Sequence, residues 1–216
     1  MGFFTAILDI LFPPKCLFCG RVLNSPRDLW CDKCTESLPY ADNHGKQNGD
    51  VFDFCVSALY YTGDVRRSIL RYKFNSAQHY ADIYGKILAD CIRECPDVKY
   101  DIISWVPLSI KRERKRGYDQ AMLLAMATAL ELSDVAVETL KKPNDVGAQS
   151  ELGDKTERCA NISGAYVASD TEIVTGKRIL LIDDVVTTCS TLDECARVLL
   201  SAGASGVVCA TLARGE

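Results

Sequence analysis

Apolar residues follow two alternating patterns along the chain from about residue 54 onward. Continuous apolar runs of strand length predict four strands, which lie at 54–61, 101–108, 178–186 and 207–213. Strands separated by helical segments are typical of an α/β fold, in which helices cover both faces of a parallel sheet. Ligands bind such a sheet at the carboxyl ends of its strands.

Helices are predicted where apolar residues recur at intervals of three and four. This spacing predicts helices over 64–74 and 79–95, and a further helix begins near Ser190. The loops that follow Trp105 and Ile182 each leave the end of a predicted strand. They are therefore the two candidate positions for a ligand site.

The N-terminal part of the chain differs from this pattern. Residues 40–50 are polar and rich in Gly and Asn, so they are predicted to link two domains, 1–42 and 50–216. The first residues form an apolar cluster that Asp9 interrupts, without the cationic start or the cleavage site of a signal peptide. A short amphipathic helix docked on the protein is favoured over a membrane-surface role.

Size and composition narrow the class of protein. The chain has 216 residues and a net charge of −4, which fits one domain with an appendage and excludes nucleic-acid binding by bulk charge. No run approaches the roughly 18 apolar residues that span a membrane. Eleven cysteines are an odd number, and a disulfide-linked secreted domain is unusual at this length. We expect a cytoplasmic protein with reduced thiols, and composition leaves its oligomeric state open.

Four of the cysteines form two CxxC pairs near the N-terminus. The pairs are Cys16 with Cys19 and Cys31 with Cys34, and eleven residues separate them. Each pair can direct two sulfurs at one point, so together they predict a tetrahedral Zn²⁺ site of the zinc-ribbon type. A rubredoxin-like iron site and a pair of redox motifs are the alternatives. Because all four positions are filled by protein, the metal is predicted to be structural, with or without a role in binding nucleic acid or partners.

The segment 179–191 carries the most specific chemistry in the chain. Four apolar residues precede Asp183 and Asp184, and small hydroxyl residues then lead into a helix. The first turn of a helix offers free backbone N–H groups and a positive dipole end, both of which attract an anion. A phosphate site beside two carboxylates suits a sugar phosphate.

This segment resembles the 5-phosphoribosyl-1-pyrophosphate (PRPP) signature of type I phosphoribosyltransferases. The resemblance implies that Asp183 and Asp184 are catalytic residues that hold the ribose 2′- and 3′-hydroxyls. It implies that the following residues hold the 5′-phosphate: Val185, Val186, Thr187, Thr188, Cys189, Ser190 and Thr191. An acidic pair that only caps a helix, or binds Mg²⁺ in another α/β enzyme, is the alternative.

A wider resemblance covers the whole chain. Besides the CxxC pairs, segments 60–74, 105–121 and 149–166 are similar to those of the ComF/GntX-like family, which joins a type I phosphoribosyltransferase fold to an N-terminal zinc ribbon. The resemblance assigns the loop after Trp105 to pyrophosphate. Four cations of the following stretch are the candidate contacts to pyrophosphate or nucleic acid: Lys111, Arg112, Arg114 and Arg116. A solvated basic face is the alternative.

Two positions depart from the family pattern. The family usually has Gly where this chain has Cys189, and commonly Asn where it has Asp119. A side chain at 189 is expected to narrow the phosphate site and weaken PRPP binding.

Two functions are compatible with these residues. The favoured one is phosphoribosyl transfer from PRPP with Mg²⁺, for which the sequence names no acceptor. The alternative, implied by the association of ComF-like proteins with natural transformation, is a non-catalytic competence protein that handles single-stranded DNA together with competence-machinery proteins.

Overall fold

The computed structural model describes residues 13–25, 29–74, 77–143 and 165–215. The predicted N-terminal helix lies outside the described residues, as does most of the segment 149–166. The elements, in chain order, are α1 (Asp32–Ser37), β1 (Cys55–Tyr60), α2 (Gly63–Phe74), α3 (Tyr80–Glu94), β2 (Ile102–Trp105), α4 (Ile110–Arg116), α5 (Gln120–Glu131), β3 (Leu140–Lys141), β4 (Val167–Ala168), α6 (Thr171–Val174), β5 (Arg178–Val186), α7 (Ser190–Ser201) and β6 (Gly206–Arg214).

Four parallel strands form the central sheet in the order β1-β6-β5-β2. This confirms the predicted α/β class, and β5 has the predicted bounds. Strand β2 is shorter than predicted and ends at Trp105. The Val106 N–H still donates to the Ile182 carbonyl, and the chain leaves the sheet after it, because the Leu108 N–H donates to the Asp119 carboxylate instead.

The side chains of β5 alternate between two cores. Leu180 and Ile182 belong to the core beneath α3 and α5, and Ile179 and Leu181 belong to the core beneath α7. All four side chains are fully buried. A strand buried on both faces reads as a continuous apolar run, which explains why the sequence pattern predicted it well.

Helices α3 and α5 pack closely at Gly85. A methyl group added there would lie 2.6 Å from the Ala127 Cβ, so the contact requires glycine.

The predicted linker lies along the outer edge of β1. The Ala41 N–H donates to the Ala58 carbonyl, and Gln47 and Cys55 exchange a pair of backbone hydrogen bonds. A 3₁₀ turn, Asp42–Gly45, separates these contacts. The edge strand has unpaired backbone groups, and a polar segment beside it supplies their partners.

Candidate functional site: a sulfur cluster and a polar cleft

The four predicted metal ligands lie together. Their Sγ atoms are all within 4.8 Å of one another, with 3.6 Å between Cys16 and Cys34 and 3.7 Å between Cys19 and Cys31. Sulfurs bound at about 2.3 Å to a tetrahedral Zn²⁺ lie about 3.8 Å apart. The spacing therefore fits zinc, and among the described residues this is the one group with metal-ligand geometry.

Tight turns hold these sulfurs. The Gly20 N–H donates to the Cys16 carbonyl, and Gly20 adopts a φ of +76°, which glycine accommodates without strain. The second pair lies at the start of α1, where the Cys34 N–H donates to the Cys31 carbonyl. Burial acts to raise the pKa of Cys16, but hydrogen bonds from backbone groups of Cys19, Cys31 and Phe18 lower it to about 7 overall.

The predicted acidic pair lies at the carboxyl end of β5. Asp184 is buried and forms an ion pair of 2.8 Å with Lys73, from the last turn of α2. Burial, and then the neighbouring Asp184 carboxylate, raise the pKa of Asp183 to about 8. The two adjacent carboxyls therefore have different environments, one paired with a cation and one kept protonated near neutral pH.

The predicted phosphate loop connects β5 to α7. Thr187 and Thr188 are exposed, and the Thr188 and Ser190 hydroxyls lie 3.1 Å apart. Residues 185–192 and Asp183 line a small concavity of about 40 Å³, next to the first turn of α7. Hydroxyl and free amide donors around a small open space suit a phosphate group.

Cys189 adopts a left-handed conformation in this loop, with a φ of 60°. This conformation favours glycine, which explains the glycine that is usual at this position in the resembling family. The Gln47 side-chain amide donates to the Cys189 sulfur at 3.4 Å. Burial raises the pKa of Cys189, so the thiol is neutral near pH 7.

Helix α4 carries the predicted basic cluster, and the structure divides it. Arg112 and Arg116, one turn apart, line the same cleft as the acidic pair, whereas Lys111 and Arg114 lie outside the lining of that cleft. All the cations of α4 except Arg116 are exposed. An α-helix places residues four apart on one face, which accounts for this division.

Asp119 holds the start of α5 against the loop after β2. Its carboxylate accepts from the Met122 N–H at 3.1 Å and from the Leu108 N–H at 2.7 Å. Burial raises the pKa of Asp119. The two bonds use different oxygens of the carboxylate, so an asparagine, with one side-chain oxygen, could accept only one of them in this geometry.

The shared cleft has a volume of about 230 Å³. Its lining includes polar side chains that the sequence pattern did not identify: Lys73, Gln120, Lys142 and Tyr166. Three of them lie in segments 60–74, 105–121 and 149–166, whose similarity to the ComF/GntX-like family was a signal that could have identified them: Lys73, Gln120 and Tyr166. Lys142 and Tyr166 meet through the antiparallel pairing of β3 with β4, and the Lys142 ammonium donates to the Tyr166 hydroxyl at 3.1 Å.

A larger cavity of about 500 Å³ lies between the N-terminal segment and α3, away from the acidic pair. Its lining includes Trp30, Tyr40 and His44, and none of the predicted site residues. The chemistry of the smaller cleft, with two carboxyls and two arginines in its lining, makes that cleft the stronger candidate.

Two domain families match the chain. The phosphoribosyl transferase domain matches residues 116–216, and the double zinc ribbon domain matches residues 7–56. A competence protein ComFC of Bacillus subtilis (strain 168) is 27% identical over 89% of this chain and 74% of its own length. Competence protein F of Haemophilus influenzae (strain ATCC 51907 / DSM 11121 / KW20 / Rd) is 25% identical over 93% of this chain and 96% of its own length.

Together, the two domain matches and these relatives support a ComF-like protein. Another ComF-like relative, competence protein ComFC of Streptococcus pneumoniae (strain ATCC BAA-255 / R6), is 28% identical over 67% of this chain. The chain spans 60% of the length of that relative. These similarities agree with the phosphoribosyltransferase fold and the N-terminal zinc ribbon.

Solved structures similar to this ComF-like chain include a glutamine PRPP amidotransferase from B. subtilis, with a TM-score of 0.46 and 20% identity. That match covers 66% of this chain and 30% of the amidotransferase. No helix in the described ranges of this chain is long and apolar enough to cross a membrane.

Proposed function

We propose that this ComF-like chain binds PRPP together with Mg²⁺ in the cleft between β5 and α4. One observation carries the proposal. The acidic pair and the open loop before α7 line adjoining parts of one polar cleft together with two arginines, which lie about 70 residues earlier in the sequence. PRPP combines a ribose with anionic groups at both ends, and this cleft offers a matching group for each part.

The roles follow from the chemistry of each part. The loop 187–191 binds the 5′-phosphate with amide and hydroxyl donors, and Asp183 and Asp184 accept from the ribose hydroxyls. Arg112 and Arg116 contact the pyrophosphate, since a guanidinium forms bidentate bonds with phosphate oxygens. Mg²⁺ bound to the diphosphate would neutralise part of its charge.

We further propose phosphoribosyl transfer as the reaction. A nucleophile, such as a ring nitrogen, forms a bond to C1 of the ribose, and the C1–O bond to pyrophosphate breaks with its electron pair leaving on pyrophosphate. Positive charge develops at the ring in this step. The carboxylate of Asp184, with Asp183 once ionised, stabilises that charge, and the arginines stabilise the leaving group.

Pyrophosphate release from PRPP, assayed with a panel of nucleobases and amines, tests the transfer. We expect at least one acceptor to support release, and the double variant Asp183→Asn/Asp184→Asn to abolish it. The matched control is Asp82→Asn, an exposed carboxylate in the first turn of α3. Release that is equal in the double variant and the control would contradict the assignment.

A second function is favoured by a different observation. Three relatives are named as competence proteins, and Lys111, Arg114 and Lys115 remain exposed outside the PRPP cleft. We propose that this outer face of α4 contacts the backbone of single-stranded DNA. Salt-sensitive binding of an oligonucleotide, lost when these three residues are replaced by Gln, is the expected result. Binding that is unchanged in the triple variant overturns it.

A further inference from the structure

Helix α2 lies between the zinc ribbon and the proposed PRPP cleft. Ser68 and Arg71 contact the ribbon, and Lys73 contacts the acidic pair. Residues two apart on a helix point to nearly opposite sides, so one helix can contact both parts of the molecule.

The ribbon contacts are made to the metal-binding turn itself. The Arg71 guanidinium donates to the Leu17 and Phe18 carbonyls, both at 2.7 Å, and the Ser68 hydroxyl donates to the Leu17 carbonyl at 2.6 Å. Leu17 and Phe18 are the two residues between the ligands Cys16 and Cys19. The position of these carbonyls therefore depends on the turn that the metal closes.

The end of α2 makes three contacts around the cleft. Lys73 pairs with Asp184, and the two side chains are only 19% and 10% exposed. The Tyr72 hydroxyl donates to the Gln120 carbonyl at 2.8 Å, and the Arg116 guanidinium lies over the Phe74 ring, 5.1 Å from its centroid. An ion pair shielded from solvent holds its partners more firmly than an exposed pair.

We infer that the zinc ribbon positions the PRPP site, through Arg71 on one side of α2 and Lys73 on the other. Lys73 is then a positioning residue that holds the Asp184 carboxylate in place, and Arg71 fixes the helix that carries Lys73. This inference rests on the proposed function for its consequence, PRPP affinity, but the mechanical link exists in the ligand-free protein. It gives the ribbon a role beyond its own folding.

Amide hydrogen exchange of the ligand-free, zinc-loaded protein tests the link directly. We expect Arg71→Met to speed exchange of the amides at 183–191 by about threefold or more, because α2 loses its anchor on the ribbon. The matched control is Arg67→Met. Arg67 is an exposed arginine of the same helix, and its ion-pair partner is Asp64. Zinc content and far-UV circular dichroism identify variants that retain the ribbon and the fold. Unchanged exchange at 183–191 in a folded, zinc-loaded Arg71→Met protein overturns the inference.

PRPP titrations of the same variants test the consequence. Arg71→Met and Lys73→Met are each expected to weaken PRPP binding by about fivefold or more, and the double variant to bind no more than about twofold worse than Lys73→Met alone. Fully additive effects would show that the two residues act separately and would contradict the link. If Arg71→Met does not fold, Arg71→Lys replaces it, because lysine keeps the charge but its ammonium lies one atom short of the Arg71 Nη2 that donates to both carbonyls.

The two proposals fail in different ways. A wild-type protein that binds no PRPP refutes the proposed function, and the exchange experiment then still decides the link between ribbon and site. A wild-type protein that binds PRPP with an affinity that Arg71→Met leaves unchanged refutes only the inference.

Discussion

Asp183 and Asp184 are neighbours in sequence but differ in electrostatic environment. The Lys73 ammonium neutralises Asp184, whereas burial and the Asp184 charge keep Asp183 protonated up to about pH 8. Divergent environments of two adjacent carboxyls are common where both groups serve a reaction. A cationic or hydroxyl-rich ligand in the cleft would favour ionisation of Asp183.

The raised pKa of Asp183 predicts a pH dependence of stability. In the unfolded chain its carboxyl titrates near the ordinary value of 3.8, and in the folded protein near 8. Between these values the folded state holds the extra proton, so this group's contribution to the free energy of unfolding falls as the pH rises. Asp183→Asn removes the titration and should lose less stability than the wild type between about pH 5 and pH 8. Urea unfolding across that range measures this, and parallel profiles of the two proteins would contradict it.

Cys189 predicts a second effect at single-residue scale. Its left-handed backbone costs about 1 kcal/mol for a residue with a side chain, so Cys189→Gly should keep or raise stability and open the phosphate loop. We expect tighter PRPP binding in Cys189→Gly. Cys189→Val, with a branched side chain at the same φ, should lower the melting temperature and weaken binding. Calorimetric titration and thermal unfolding check both, and tighter binding in the Val variant would contradict the account.

Helix α4 divides the four cations that the sequence predicts to contact pyrophosphate or nucleic acid. The helical period brings Arg112 and Arg116 to the lining of the cleft, and Lys111 and Arg114 lie outside that lining. Replacing Arg112 and Arg116 with Gln should weaken PRPP binding by about tenfold or more, since each is proposed to form charge-assisted bonds with the pyrophosphate. The matched pair Lys111→Gln/Arg114→Gln removes the same charge and should change affinity by less than about twofold. Equal losses in the two double variants would indicate a general charge effect instead.

The elements that could be predicted are those whose signal is local. Strand β5 was predicted with its bounds because it is apolar on both faces. The four cysteines were predicted as metal ligands because their spacing in the sequence is short and regular. Lys73 and Tyr166 could not be derived from such patterns, because α2 and the β3–β4 pairing bring them to the cleft from distant parts of the chain. The end of β2 was misplaced because the apolar run continues through Leu108, whose N–H donates to the Asp119 carboxylate and not to β5.

At the scale of the whole molecule, the ribbon and the α/β domain share one core. Phe18, between two of the metal ligands, is fully buried and packs against Trp30 of the ribbon and Tyr84 of α3. A ribbon of this size has too little apolar surface to fold alone, so its metal and this contact stabilise it together.

Metal removal is therefore expected to affect the whole molecule. We expect about one zinc ion per chain by elemental analysis, and a lower melting temperature after chelation, because the turn that Phe18 anchors would lose its metal. Cys34→Ser should reproduce the effect. Cys91→Ser, at a buried cysteine of α3 outside the cluster, is the control for loss of a thiol. A metal-free protein with unchanged stability would refute the structural role.

The most direct test of the central claim is calorimetric titration of the zinc-loaded protein with PRPP in the presence of Mg²⁺. We predict one PRPP per chain, and an affinity reduced by about tenfold or more in Asp183→Asn/Asp184→Asn, since both carboxyls are proposed to contact the ribose. Asp90→Asn, which removes an exposed carboxylate of α3, should bind as the wild type does. Absence of binding to the wild type, or equal affinity of the double variant and the control, would contradict the assignment of this cleft to PRPP.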